Sequence, residues 1–136
     1  MAFASTVTVT KIDPIGKEYL HNFIVDITET GATATDESVI TGLPSQGRII
    51  RQICIHTAGT ATTVDPVLGS ATNPATSGKD LILENSTAAA TVDNLPLPAI
   101  PYYSSTGTLY HRSVSNGAST DNSHTIRYYI REGWQD

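Results

Sequence analysis

Thr108-Leu109-Tyr110-His111-Arg112-Ser113-Val114, the polar run Ser115–Ser123, and His124-Thr125-Ile126-Arg127-Tyr128-Tyr129-Ile130-Arg131 form one stretch, closing at Trp134, that decides how this chain folds. Its two ends read as strands and its middle as a loop. In the second strand Ile126, Tyr128 and Ile130 point one way, and Arg127, Tyr129 and Arg131 point the other. A period of two with one apolar face marks a half-buried strand. Burial of Ile126 and Ile130 stabilises a fold by roughly 1.5–3 kcal/mol each. The loop holds Asn116-Gly117, but it is too long for a two-residue hairpin turn. Such a pair needs further strands over its apolar face, and the rest of the chain has them.

Just upstream, Asn94–Tyr103 carries Pro96, Pro98 and Pro101. Each proline removes a ladder donor, which argues against a central strand. The expectation is an extended, polyproline-like crossover, with Leu95, Leu97 and Ile100 packing on the body or on a neighbour. Arg48–Thr57 is the most apolar strand. Alternation places Ile49, Ile53 and Ile55 with Arg51 on one face, and Ile50 and Cys54 with Gln52 and His56 on the other. Apolar groups on both faces imply a central strand, or one face covered by a second subunit.

Thr6–Ile12 alternates Thr with Val, a strand signal, and Met1–Ser5 before it reads as an arm. Asp13-Pro14-Ile15-Gly16 is a turn. Leu20–Thr28 is a strand with Phe23, Val25 and Ile27 on one face, and Glu29–Glu37 is a polar loop. Ser38–Thr41 is a short strand, and Thr60–Leu68 a weaker one broken at Asp65-Pro66. Gly69–Lys79 is a loop, Leu81–Glu84 is short and apolar, and Thr87–Val92 reads as a loop. Many short strands and almost no helix predict an all-β chain: a single β-sandwich over 6–136, jelly-roll-like, with an N-terminal arm over 1–5 and a Pro-rich crossover.

A length of 136 residues suits one domain with a single core. Charged residues are only 15%, below the usual quarter, and Thr, Ser and Asn carry the polarity. The net charge is −5 and the Lys and Arg residues are scattered, which argues against a nucleic-acid partner. The one cysteine, Cys54, forms no intrachain disulfide and suits a buried strand position. No apolar run reaches the length of a membrane-spanning helix, so no membrane partner is expected. The first residues lack the pattern of a secretory signal, so synthesis in a cytoplasm is expected.

Chemistry is sparse. His21, His56, His111 and His124 show no metal-ligand spacing, although His111 and His124 lie on the two strands of the last pair and can meet in space. The plainer reading is hydrogen-bonded strand histidines. Carboxylates fall mostly at turns and strand ends, and Cys54 lies mid-strand in an apolar run, away from the electropositive setting that activates a thiol. No nucleophile elbow, phosphate loop or calcium loop occurs. Asn85-Ser86-Thr87 fits a glycosylation acceptor by chance. No catalytic residue, metal or cofactor is therefore expected, and the chain does not read as an enzyme. Tyr102, Tyr103, Tyr110, Tyr128 and Tyr129 are the one enrichment, suited to core margins or subunit contacts.

Ala99-Ile100-Pro101-Tyr102-Tyr103, Gly107-Thr108-Leu109-Tyr110 and Thr125–Arg131, with the Thr/Val opening Thr6–Thr10 and the run from Ile53 to Leu68, resemble small virion proteins of tailed bacteriophages. The resemblance is one of style and carries over no residue roles. It implies a jelly-roll or sandwich module that decorates or cements the capsid on the head surface of the virion. Its partners would then be the major capsid protein and itself, as a homotrimer. Tyr102, Tyr103, Tyr129, Leu95, Leu97 and Ile100 are the candidate interface residues. The other reading is a carbohydrate- or receptor-binding module on a tail or fibre, motivated by the tyrosines and the loop Ser115–Ser123.

Overall fold

A computed structural model describes residues 2–13, 21–72, 74, 80–82, 87–88, 92–116 and 121–134. The turn expected at 14–16, most of the second half of the 69–79 loop, Asn85-Ser86, Ala89-Ala90 and the tip of the Ser115–Ser123 loop lie outside them.

The chain is all-β. Its strands are β1 (Ala4–Ile12), β2 (Asn22–Ala32), β3 (Glu37–Ile40), β4 (Gln46–Ala58), β5 (Thr63–Gly69), β6 (Asp80–Ile82), β7 (Thr87–Ala88), β8 (Val92–Tyr103), β9 (Leu109–Ser115) and β10 (Asn122–Glu132). They form a sandwich of two antiparallel sheets. One runs β1-β2-β10-β4-β8 and the other β3-β9-β5-β6, with β7 also on β5. From β2 to β5, and again from β7 to β10, each successive strand changes sheet. That wrapping is jelly-roll-like.

The alternation seen in the sequence places the core. Phe23, Val25 and Ile27 of β2 register with Ile130, Tyr128 and Ile126 of β10, all buried. Ile40, Leu68 and Leu109 meet them from the second sheet. Cys54 is buried, as its mid-strand position predicts.

Several expectations need correction. The last two strands are not partners: β10 lies in the first sheet and β9 in the second. β2 continues to Ala32, because the inward period of two runs on through Glu29. β1 starts at Ala4, paired with Thr30, two residues before the expected Thr6.

In β4 the phase changes. Tyr129 pairs with Arg51 but the next residue, Ile130, pairs with Ile49, leaving Ile50 as a bulge. A bulge re-aims every side chain beyond it. Ile49 therefore faces inward, on the side of Gln52, Cys54 and His56.

The Pro-rich segment is strand β8, at a sheet edge where missing donors cost nothing. Between the pairs Ile49/Ile100 and Arg51/Pro96, Leu97, Pro98 and Ala99 oppose Ile50, and Ala99 adopts φ 54°. Pro66 does not break β5. It pairs with Ser113 of β9, while on the other side β7 reaches Val64 and β6 starts at Leu68. Thr87–Ala88, expected as loop, is the short strand β7.

Candidate functional site

The inward period of two brings polar side chains into the core from both sheets. On β2 the series Phe23, Val25, Ile27 ends in Glu29, which is 1% exposed. On β9 the inward residues are Leu109, His111, Ser113 and Ser115. β3 adds Ser38, β4 adds Gln52 and His56, and β10 adds Tyr128 and His124, all buried. Ser38, Ser113 and His124 meet at the Glu29 carboxylate, and His111, Tyr128 and Gln52 follow behind Ser113.

Elementary donor rules fix the direction of the bonds. Ser113 Oγ donates to Glu29 Oε1 at 2.7 Å, and Ser38 Oγ donates to Oε2 at 2.7 Å. An ionised carboxylate only accepts, so His124 Nδ1, 3.1 Å from Oε1, is the donor there. Ser113 has spent its hydrogen on Glu29. It therefore accepts from His111 Nε2 at 2.7 Å. His111 Nδ1 is then an acceptor and takes the Tyr128 hydroxyl hydrogen at 2.7 Å. The Tyr128 oxygen in turn accepts from Gln52 Nε2 at 3.0 Å. On the other side Ser5 Oγ donates to Ser38 Oγ at 2.6 Å. Every bond in the network points toward Glu29, and His111 is held neutral.

The electrostatics agree. Burial alone pushes a carboxyl up, but the His124 hydrogen bond, the nearby His111 and the bonds from Ser113 and Ser38 bring Glu29 down to about 2. Burial lowers His111 to about 4, with Glu29 pulling up and His124 pushing down. Burial also raises the Tyr128 hydroxyl well above its ordinary value. His56 sits beside the network. Its ring lies 5.2 Å from that of His124, and Nε2 donates to the Ala61 carbonyl at 2.8 Å.

His111 and His124 thus do meet, but across the sandwich through Glu29 rather than side by side. His21 is elsewhere, bonded to Glu132 at 3.1 Å. The pairing of Ser113 with His111 has the spacing of a nucleophile and its base. Here, however, the hydroxyl hydrogen is committed to Glu29, and both residues are buried. Among the described residues no group of three or more His, Cys, Asp or Glu is placed to hold a metal ion. The arrangement stores a charge inside the fold and presents no reactive atom at the surface. The polar run Glu29–Glu37 reads as a loop, which hides Glu29. The signal was its place two residues beyond Ile27.

The surface candidates divide in two. Tyr102 is buried, with its hydroxyl on the Pro44 carbonyl at 2.9 Å and pushed above its ordinary pKa by burial. Leu95 and Ile100 register with the inward Gln52 and Ile49, and Leu97 and Ile100 pack on the core. Within the single chain Leu95, Leu97 and Ile100 are half-buried, which matches the expected packing on the body. Tyr103, 58% exposed, and the half-buried Tyr129 face out. Around Tyr129 the outer face of the first sheet carries Ile24, Ile53 and Ile55, all half-buried, and Val92 at 61% exposure. One ion pair crosses it: Arg127 Nε donates to Asp26 Oδ1 at 2.6 Å, with the guanidinium 5.9 Å from the Tyr129 ring. Trp134, 48% exposed, lies near Tyr103 because its indole N–H donates to the Tyr102 carbonyl at 2.8 Å.

No family model matches the chain, and no curated protein matches it. Solved structures with a related outline include the K1 cleaved adhesin domain of Lys-gingipain from Porphyromonas gingivalis. It is 8% identical, with TM-score 0.49, over 99% of this chain and 100% of that one. The capsid asymmetric unit of cyanophage Pam1 is 12% identical, with TM-score 0.48, over 90% of this chain and 93% of that one. The xylan-binding domain from CBM 22 is 10% identical, with TM-score 0.39, over 95% and 85%. The neighbours of this fold thus span a viral capsid, an adhesin and a carbohydrate-binding module, at likenesses that assign none of those roles.

Proposed function

We propose that this chain is a structural protein of a bacteriophage virion, a capsid cement or decoration protein. It would be made in the host cytoplasm and added to the head surface, where it bridges neighbouring subunits of the major capsid protein against internal genome pressure. The observation that supports this reading most is the outer face of the first sheet. Ile24, Ile53, Ile55, Tyr129 and Val92 put apolar side chains, interspersed with Arg51, Arg127 and Asp26, on a sheet whose other face already holds the core. A single sandwich has one core to offer, and interface centres are apolar and poor in charge. The resemblance of the last third to phage virion proteins agrees with it, and it is the source of the threefold self-association that belongs to this reading. Mass spectrometry of purified virions tests it. Hundreds of copies on the shell support the role, and absence from mature particles defeats it.

A second reading has its own observation. Tyr103 and Trp134 are both exposed at one end of the same sheet, a pair suited to stacking on a sugar ring. That would make the chain a carbohydrate- or receptor-binding module on a tail or fibre. Low copy number at a tail tip, with glycan-array binding abolished by replacing both aromatics with Ala, supports it. Unchanged binding in that double variant removes the pair from the argument.

A further inference from the structure

Of the strands that end the two sheets, three are guarded. β3 is four residues long and β6 is three. β8 carries Pro96, Pro98 and Pro101 and the irregularity around Ala99. Short strands, prolines and bulges are the usual means of blunting a sheet edge. β1 has none of them. It runs nine residues without Pro or Gly, its only charged side chain is Lys11, and its only partner among the described strands is β2. Its outward residues Thr6, Thr8 and Thr10 are exposed, and its inward Val7 and Val9 are only half covered. Beside the inward valines a groove of about 400 Å³ opens between β1 and β3, lined by Val7, Val9, Phe23 and Val39, with Lys11 at the rim. Val39 is 46% exposed.

We propose that the free edge of β1 pairs with β1 of a second copy of this chain, antiparallel, about a twofold axis through Thr8. The proposal goes beyond the virion reading and does not depend on it. The occupant is chosen by the sequence of the strand itself. Thr6-Val7-Thr8-Val9-Thr10 is a palindrome. Centred on Thr8, the twofold sets Thr8 on Thr8, Thr6 on Thr10 and Val7 on Val9. Faces are conserved, so threonines meet threonines on the outside and valines meet valines over the groove. An isologous contact requires such self-complementarity. Cross-strand Thr–Thr and β-branched pairs are favourable.

The charges permit it as well. Lys11 falls opposite Ser5, and the two Lys11 side chains stand six residues apart along the strand, about 20 Å, at about 3.4 Å per residue. That exceeds the Debye length of about 8 Å in physiological salt. Pairing β1 with the edge of β8 instead would leave ladder positions facing prolines, so head-to-tail growth is disfavoured and the twofold pair closes.

The test uses the full chain. Thr8→Cys places two thiols directly across the axis, at a Cα separation of about 4.5–5.5 Å that a disulfide spans. Mild oxidation is expected to give a covalent dimer of Thr8→Cys and none of Thr28→Cys, an exposed position on the neighbouring strand. Thr8→Lys sets two ammonium groups face to face and is expected to weaken self-association at least tenfold in sedimentation, whereas Thr28→Lys leaves it unchanged. Mixing Thr8→Lys with Thr8→Glu chains restores the pair as a heterodimer. Three outcomes overturn the proposal: equal cross-linking of the two cysteine variants, an unchanged mass for Thr8→Lys, or a monomeric wild-type chain at about 100 μM, a concentration at which even weak specific pairs form.

Discussion

Removing the charge at Glu29 tests whether the core network is what its geometry says it is. Glu29→Gln keeps the shape and leaves Ser38, Ser113 and His124 in place, but it replaces an acceptor-only group with one that also carries two donors. The Glu29 carboxylate receives three hydrogen bonds, from Ser113, Ser38 and His124. A group held at about 2 in the fold, against 4.5 when free, contributes about 3 kcal/mol of stability. Because the folded value is the lower one, that contribution is complete above pH 4.5 and is lost as pH falls from there through about 2. His111 acts in the same direction. Its folded value of about 4, below the free 6.5, means that the unfolded chain takes up the proton first. Stability from that source is complete above pH 6.5 and drains away as pH falls through about 4. Both shifts favour the folded state at neutral pH over acid. The wild-type protein is therefore expected to melt highest above pH 6.5 and to unfold in acid.

The variant should differ in a specific way. At pH 7, urea denaturation is expected to show a loss of about 2–4 kcal/mol for Glu29→Gln, the range for breaking a buried, hydrogen-bonded charge site from one side. The gap should close as pH approaches 2, where the wild-type carboxyl is itself protonated. Between pH 6.5 and 4 the variant should lose stability at least as steeply as wild type, because the negative charge that eases His111 protonation is gone. A loss below about 0.5 kcal/mol at pH 7, within the range of ordinary surface substitutions, or a gap that stays constant down to pH 2.5, would refute the assignment of Glu29 as a buried, ionised hub.

Tyr128→Phe deletes the hydroxyl between Gln52 and His111 and is expected to cost about 1–3 kcal/mol in urea titrations; an effect below the fitting error would break the chain of bonds at that point. Gly107 has φ 68°, and an added Cβ would run into the Leu43 carbonyl oxygen, whereas Gly42 has φ 82° but open space around it. Gly107→Ala is therefore expected to lose well over about 2 kcal/mol, and Gly42→Ala only the left-handed backbone penalty of about 1–2 kcal/mol, both read by thermal denaturation; the reverse order would discredit the Leu43–Gly107 contact. Arg127→Ala breaks an ion pair that water reaches, so its effect on folding stability should stay within about 1 kcal/mol and shrink further in high salt.

Much of the fold was legible because period-two alternation needs no tertiary knowledge. Phe23, Val25 and Ile27, and Ile126, Tyr128 and Ile130, announced their faces, and all are buried. What misled was context. Three prolines argue against a central strand but are silent about an edge, and only the sheet order shows β8 to be one. A bulge carries no local signature in an isoleucine pair, so alternation alone puts Ile49 on the wrong face. The candidate site was harder still. Glu29, His111, Ser113 and Ser38 come from three strands in two sheets, with Glu29 and Ser113 84 positions apart along the chain. Polar residues at inward positions look like strand ends until their partners are placed opposite them.

Those polar positions also answer a question that the apolar pattern leaves open. Shifting a strand by one residue exchanges its two faces, and a sheet with apolar groups on only one face resists the shift strongly. The first sheet lacks that protection in part, since Ile24, Ile53 and Ile55 sit on its outer face opposite Phe23, Ile27 and Cys54. A one-residue slip of β2 against β10 would still bury an isoleucine. It would also carry Glu29 out of the sandwich and leave His124, Ser113 and Ser38 buried without their acceptor. Each abandoned donor costs about 1–3 kcal/mol, a penalty larger than the difference between one buried isoleucine and another. The network joins β1, β2, β3, β4, β9 and β10 through Ser5, Glu29, Ser38, Gln52, His111, Ser113, His124 and Tyr128. It therefore penalises a slip in any of those strands at once. A sheet with apolar residues on both faces needs some other means of fixing its register, and here the buried charge provides it.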